Sequence, residues 1–261
     1  MAIPKTFNTV VFDTLAKVCY NWAKSPQKGV SPVPQSRSHD TYIFDLDNTL
    51  YASASRLFTQ IDANMTSFVQ KHFDLPFPEA QALQKKYFED HGTTLYGLMK
   101  KHDVNPHHFL DYIHDHVDYT WLNPHEDLRA ALNALEGTKI VFTNASNHHA
   151  SRVLERLGIA DCFSGCFDII EADFAPKPHR ETYEKLLQTF DVNPKRAVMF
   201  DDIPKNLVTA SQVGMATVLI LHDDEGLPYR YDETTHGPFV DDQTDDLALW
   251  LKHHHQMISQ P

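Results

Sequence analysis

Apolar runs recur along the chain in YIF, TKIVF, CFDII, RAVMF and TVLIL, ending at Phe44, Phe142, Ile170, Phe200 and Leu221. Read as strands, they alternate with amphipathic helices. After TNASN, the positions Ala150, Val153, Leu154 and Leu157 fall at i, i+3, i+4 and i+7, and Gly158 supplies a stop. Pro178 opens a second helix with the stripe Tyr183, Leu186, Leu187 and Phe190. A third carries Ile203, Leu207, Ala210 and Val213 before Gly214. Strands alternating with helices predict an α/β fold built on a parallel sheet.

One gap interrupts the alternation. Between the first strand and the strand at residue 138 lie too many residues for one crossover helix. Phe58, Ile61, Met65 and Phe68 form one apolar face there, and Phe109, Ile113 and Val117 another. A helical insert over residues 53–120 is expected, with the core made of residues 39–52 and 121–261. Residues 1–38 stand apart. Phe12, Leu15, Cys19 and Trp22 lie on one helical stripe, followed by the Pro and Ser-rich connector SPQKGVSPVPQS. That stripe is expected to bury against this chain's own core or against a second copy, giving a homodimer. The histidines of KHHHQ fall where a helix opening at Thr244 would end, where the helix dipole favours positive charge. They are read in that way rather than as metal ligands.

Composition narrows the class. With 261 residues, 42% of them hydrophobic, the chain can bury a substantial core. A net charge of −12 argues against a partner such as a nucleic acid polymer, whose phosphates call for an excess of Lys and Arg. The charge is uneven: residues 1–38 hold five basic side chains and one acid, +4 in all, leaving −16 for the remainder. No run is long and apolar enough for a membrane span or a signal peptide. Cys19, Cys162 and Cys166 make no disulfide framework and read as ordinary thiols of a reducing cytoplasm.

The candidate chemistry sits where strands end. In open α/β sheets, ligands bind beyond the carboxyl ends of the strands. Asp45 and Asp47 follow the first run, Thr143 and Asn144 the second, Lys177 a short loop after the third, and Asp201 and Asp202 the fourth. Residues two apart on a strand share a face, so Asp45 and Asp47 either crowd each other or share a cation. Acids, one lysine and a hydroxyl suit Mg²⁺ with a phosphate, because Mg²⁺ takes hard oxygen ligands from carboxylates and phosphate oxygens. Asp45 is assigned as the nucleophile forming an aspartyl-phosphate. Asp47 protonates the departing oxygen and later activates water. Thr143 and the amide of Asn144 hold phosphoryl oxygens, and Lys177 offsets their charge. Asp202, with Asp201 directly or through water, completes the metal site, with Asn206 one turn further on.

The motifs DLDNTL, TNA, KP and FDD, in this order over residues 42–206, resemble those of the haloacid dehalogenase superfamily. The resemblance implies a Rossmann-like core with a helical cap of the C1 type inserted after the first strand. It further implies that Asp45 and Asp202 bind Mg²⁺ through side chains and Asp47 through its backbone carbonyl. The dehalogenase branch resembles this chain without an acid at the position of Asp47, so that residue points to phosphate chemistry. DNTLY, HGTTLYGL and TNASNHHASRVLERLGI, with His149 and Ala150, resemble the pyrimidine 5′-nucleotidase group. Residues 1–38 lie outside the resemblance. The implied activity is a Mg²⁺-dependent phosphomonoesterase acting on nucleoside monophosphates, UMP and CMP before AMP and GMP. His91, Thr93, Thr94 and Tyr96 would then meet the nucleoside, and Gly92 and Gly97 would let backbone approach the base. A phosphatase for sugar phosphates, a phosphosugar mutase and a non-catalytic binding protein of the same fold are the alternatives.

Overall fold

The apolar runs pair side by side in the computed structural model, which describes residues 39–222 and 237–258. The strands are β1 (Thr41–Phe44), β2 (Thr138–Phe142), β3 (Gly165–Phe167), β4 (Ala197–Asp201), β5 (Ala216–Ile220) and β6 (Asp242–Thr244). They form one sheet in the order β3-β2-β1-β4-β5-β6, parallel throughout. Continuous apolar strands are what a parallel sheet covered on both faces demands. The period of two divides their side chains between two cores. Tyr42, Phe44, Val141, Val198, Phe200 and Val218 enter one, and Ile43, Ile140, Phe142, Met199 and Leu219 enter the other.

Four helices separate β1 from the crossover to β2: α1 (Leu57–Phe73), α2 (Phe77–His91), α3 (Thr94–Lys101) and α4 (Pro106–Asp115). They bury Leu57, Ile61, Phe68, Leu98, Phe109 and Ile113 against one another and the sheet. Gly97 is where α3 meets α2, since a Cβ there would stand 2.5 Å from Tyr87 Cβ. The remaining helices are α5 (Glu126–Ala134), α6 (Asn147–Leu157), α7 (Arg180–Thr189), α8 (Pro204–Gln212) and α9 (Leu247–Ile258). The chain is an α/β, Rossmann-like fold with a helical insert after its first strand. The α6 stripe is buried at Ala150, Val153, Leu154 and Leu157, and Gly158 ends the helix at φ 70°.

Several boundaries differ from expectation. The third strand stops at Phe167, not Ile170. There the Asp168 carboxylate accepts the backbone N–H groups of Ile170 and Glu171 at 3.0 and 2.8 Å and bends the chain away. The helix expected from Pro178 starts at Arg180, because the Lys177 backbone is tied to the Asn144 side chain. Thr244 belongs to β6, a polar edge strand that apolar periodicity does not reveal. The last helix therefore runs to Ile258 and the KHHHQ histidines lie within it. His254 is buried, stacks on Trp250 with ring centroids 4.9 Å apart, and has its pKa lowered by that burial, the opposite of a dipole-favoured charge. The expected amphipathic stripe of residues 12–22, its dimer and Cys19 lie outside the described residues.

Candidate active site

Chain connectivity determines where a crevice forms. From β1 the chain moves outward through β2 to β3, then returns to β4 on the other side of β1. The strand order reverses at the carboxyl end of β1, the place where such sheets bind ligands. Asp45 sits at that point, its N–H bonded to Phe200 O at 2.9 Å. Asp201 ends β4, Thr143 follows β2, and the loop after β3 brings in Lys177.

The Lys177 ammonium, 1% exposed, donates to Asp45 Oδ1 at 2.6 Å, to Asp201 Oδ2 at 2.8 Å and to Phe142 O at 2.8 Å. Burial opposes its charge, but Asp201 and Asp45 outweigh burial and raise its pKa above the usual lysine value. Oδ2 of Asp45 takes no hydrogen bond among the described residues. Burial, with Asp201 adding to it and Lys177 opposing it, pushes the Asp45 carboxyl up to about 7. Asp202 is raised well above the usual carboxylate range, by burial first and then by Asp45 and Asp201. One oxygen from each of Asp45, Asp201 and Asp202 lies within 4.8 Å of the other two. Three converging carboxylates form an all-oxygen donor set that fits a hard divalent cation.

Asp201 and Asp202 have different surroundings. Asp201 is wholly buried and its oxygens are taken by Ile203 N–H at 2.8 Å, by Asn206 Nδ2 at 2.9 and 3.0 Å, and by Lys177. Asp202 faces the cavity, with His222 Nε2 3.8 Å from Oδ2. Asn206 thus supports Asp201 rather than its neighbour.

Asp47 turns away from this cluster. Its Oδ1 accepts Tyr51 OH at 2.6 Å and faces His149 Nε2 at 2.9 Å. Burial works against its charge, but His149 and Tyr51 prevail and lower its pKa below the usual carboxylate value. Thr143 is buried, and its Oγ1 accepts Ala145 N–H at 3.0 Å, which leaves its O–H to donate. The Asn144 side chain serves the Lys177 loop: Oδ1 accepts Lys177 N–H at 2.8 Å and Nδ2 donates to Lys177 O at 3.3 Å. Sequence reasoning overlooked that strut, as it overlooked Tyr51 and the contact that His149 makes. It also overlooked Asp168, whose Oδ2 accepts Asn147 N–H at 2.7 Å and so ties β3 to the start of α6.

These groups open onto a cavity of about 120 Å³. Asp45, Asp47, Thr143, Asn144, Lys177 and Asp202 form its polar floor. The insert supplies an apolar wall of Phe58, Ile61, Met65, Phe88, Phe109 and Ile113. Gly92, Thr93 and Thr94 reach the cavity, but His91 and Tyr96 do not line it. Tyr96 packs edge-on against His179 at 4.9 Å with Lys100 over its ring, and His91 lies beside Tyr87 at 6.0 Å. The physical reason is helix phase: with Gly97 pressed against Tyr87, Tyr96 is carried to the flank of α3. Gly97 therefore serves helix packing rather than approach to a base.

Comparison with known proteins agrees with this architecture. "Phosphate metabolism protein 8" of Saccharomyces cerevisiae is 29% identical over 229 residues, 81% of this chain and 68% of that protein. A HAD phosphatase from Thermococcus onnurineus superposes with a TM-score of 0.54 at 15% identity, covering 84% of this chain and 98% of that one. The magnesium-bound HAD hydrolase YfnB of Bacillus subtilis gives a TM-score of 0.52 at 13% identity, covering 86% of this chain and all of that one. At such identities the two structures speak for the fold alone. Residues 39–214 match the haloacid dehalogenase-like hydrolase family, and the chain belongs to it.

Proposed function

We propose that this hydrolase is a Mg²⁺-dependent phosphomonoesterase that works through an aspartyl-phosphate on Asp45 and acts on nucleoside 5′-monophosphates. The observation that carries the reading is the shared cavity of two carboxylates with different surroundings. Asp45 is paired with Lys177 with one oxygen left over, and Asp47 is held by Tyr51 and His149. In outline, Asp45 Oδ2 attacks phosphorus while Lys177 holds the other oxygen and offsets charge. The Thr143 hydroxyl donates to a phosphoryl oxygen. A phosphoryl group in the cavity adds negative charge beside Asp47 and raises its affinity for the proton that it gives to the leaving oxygen. Asp47 then takes a proton from the water that hydrolyses the acyl phosphate. Asp45 and Asp202 would hold Mg²⁺ with the backbone carbonyl of Asp47, and the ion would neutralise charge on the phosphoryl oxygens. The saturated hydrogen bonding of Asp201 favours its acting through Lys177 and water rather than as a direct ligand.

The apolar wall favours a flat, largely apolar leaving group over a bare sugar, and the resemblance to the pyrimidine 5′-nucleotidase group favours a single-ring base. Thr93, Thr94 and Asn48 replace His91 and Tyr96 as the polar contacts available to the nucleoside. The test is phosphate release from UMP, CMP, AMP, GMP and a sugar phosphate, with Mg²⁺ and with excess chelator. The reading expects higher kcat/KM for the pyrimidine nucleotides and no turnover in chelator. Equal rates for purines and pyrimidines, or a sugar phosphate outrunning all four, would refute the nucleotidase assignment. Full activity in chelator would refute the metal. Among the described residues no helix is long and apolar enough to cross a membrane. A cytoplasmic location and a homodimer formed through residues 1–38 remain part of the proposal.

A further inference from the structure

Asp47 Oδ1 receives two donors while its Oδ2 takes no hydrogen bond among the described residues. Tyr51 comes from the turn after β1. His149, in the first turn of α6 and wholly buried, approaches from the opposite side. The far ring nitrogen, Nδ1, lies 2.8 Å from Tyr119 OH. A carboxylate only accepts, so Nε2 presents a proton to Asp47, while Tyr119 OH, itself 3.4 Å from His114 O, anchors the far side of the ring. The ring is also clamped flat: His114 of α4 stacks on it at 4.5 Å and 15°, itself held by Ser146 Oγ at 3.1 Å. Holding a carboxylate by one oxygen from two sides fixes the direction of the other.

Resting on the phosphatase reading, we propose that Tyr51, His149 and Tyr119 are positioning residues that aim Asp47 Oδ2 at the oxygen of the departing alcohol. As the bond from Asp45 to phosphorus forms, the ester P–O bond breaks and its electron pair stays on the leaving oxygen. The proton on Asp47 then moves to that oxygen, leaving the carboxylate. Misaiming Oδ2 slows that transfer and leaves the attack of Asp45 untouched.

The experiment compares UMP, whose alkoxide needs a proton to leave, with p-nitrophenyl phosphate, whose phenolate does not. Full-length wild type, Tyr51→Phe, Tyr119→Phe, His149→Leu and His149→Gln are assayed with Mg²⁺; Gln keeps a donor near the place of Nε2. The ratio of kcat for UMP to kcat for p-nitrophenyl phosphate is expected to fall about tenfold or more in Tyr51→Phe and His149→Leu, and less in Tyr119→Phe. His149→Gln is expected to recover most of the ratio, with KM changing little. Equal loss on both esters, or an unchanged ratio, overturns the inference while the phosphatase reading stands. The Tyr→Phe variants decide the matter if His149→Leu fails to fold. Wild type that hydrolyses neither ester ends both readings.

Discussion

Replacing Lys177 by Met probes the site more severely than any other single change. The ammonium makes three hydrogen bonds of 2.6–2.8 Å at 1% exposure, two of them to carboxylates. Met keeps the volume and removes the charge, stranding Asp45 and Asp201 as buried anions. Breaking a buried ion pair from one side costs about 3–5 kcal/mol. A domain of this size loses about 2–4 °C of Tm per kcal/mol, so the midpoint should fall by about 6–20 °C. On the proposed mechanism phosphate release should fall about a hundredfold or more, since Lys177 would neutralise the nucleophile and phosphoryl. A double variant that also carries Asp201→Asn removes one stranded anion. Its stability should exceed the additive expectation by at least about 1 kcal/mol. Melts followed by circular dichroism at neutral pH, in chelator, measure wild type, the Lys177→Met and Asp201→Asn single variants and the double variant. A Tm loss under about 2 °C for Lys177→Met, or strict additivity in the double variant, would refute the claim that the lysine is the counter-charge of both acids.

Two further changes test the scaffold. Asp168→Ala strips three backbone N–H groups of their acceptor and should cost about 2–3 kcal/mol. Asp168→Asn, which keeps one oxygen, should cost less, and thermal melts that do not separate either from wild type would contradict the capping role. His254 is held below 6.5 by burial when folded and titrates near 6.5 when unfolded. The unfolded chain therefore takes up more protons, and the stability that this residue contributes is present above pH 6.5 and lost as pH falls through that region. His254→Phe keeps the contact with Trp250, so its Tm relative to wild type should rise as pH is lowered from neutral to about 5. A pH-independent difference would contradict the buried neutral imidazole.

The floor of the site was legible because connectivity alone gathers it. Asp45, Thr143, Lys177 and Asp202 each follow a strand in chain order, and a parallel sheet with one reversal brings those ends to a single cavity. The contacts that aim these groups were not legible. His149 meets Asp47 across 102 residues, and no local period encodes that pairing. Asp168 reads as one more residue of an apolar run until its carboxylate is seen to end the strand. His91 and Tyr96 stand within a polar, glycine-bearing stretch that looks like a binding loop. Which side of α3 faces the cavity was settled by Gly97 packing on Tyr87, a tertiary contact. The strand Asp242–Thr244 has no apolar pattern at all and exists through its pairing with β5.

The central claim is that Asp45 becomes phosphorylated during turnover. Rapid acid quench of wild type with substrate and Mg²⁺, followed by peptide mass spectrometry, tests this directly. The account predicts one phosphoryl group on the peptide that holds Asp45, labile to hydroxylamine as an acyl phosphate is, and absent from Asp45→Asn, which should be folded and inactive. Turnover by Asp45→Asn, or a phosphoryl group found on any other residue, would contradict it.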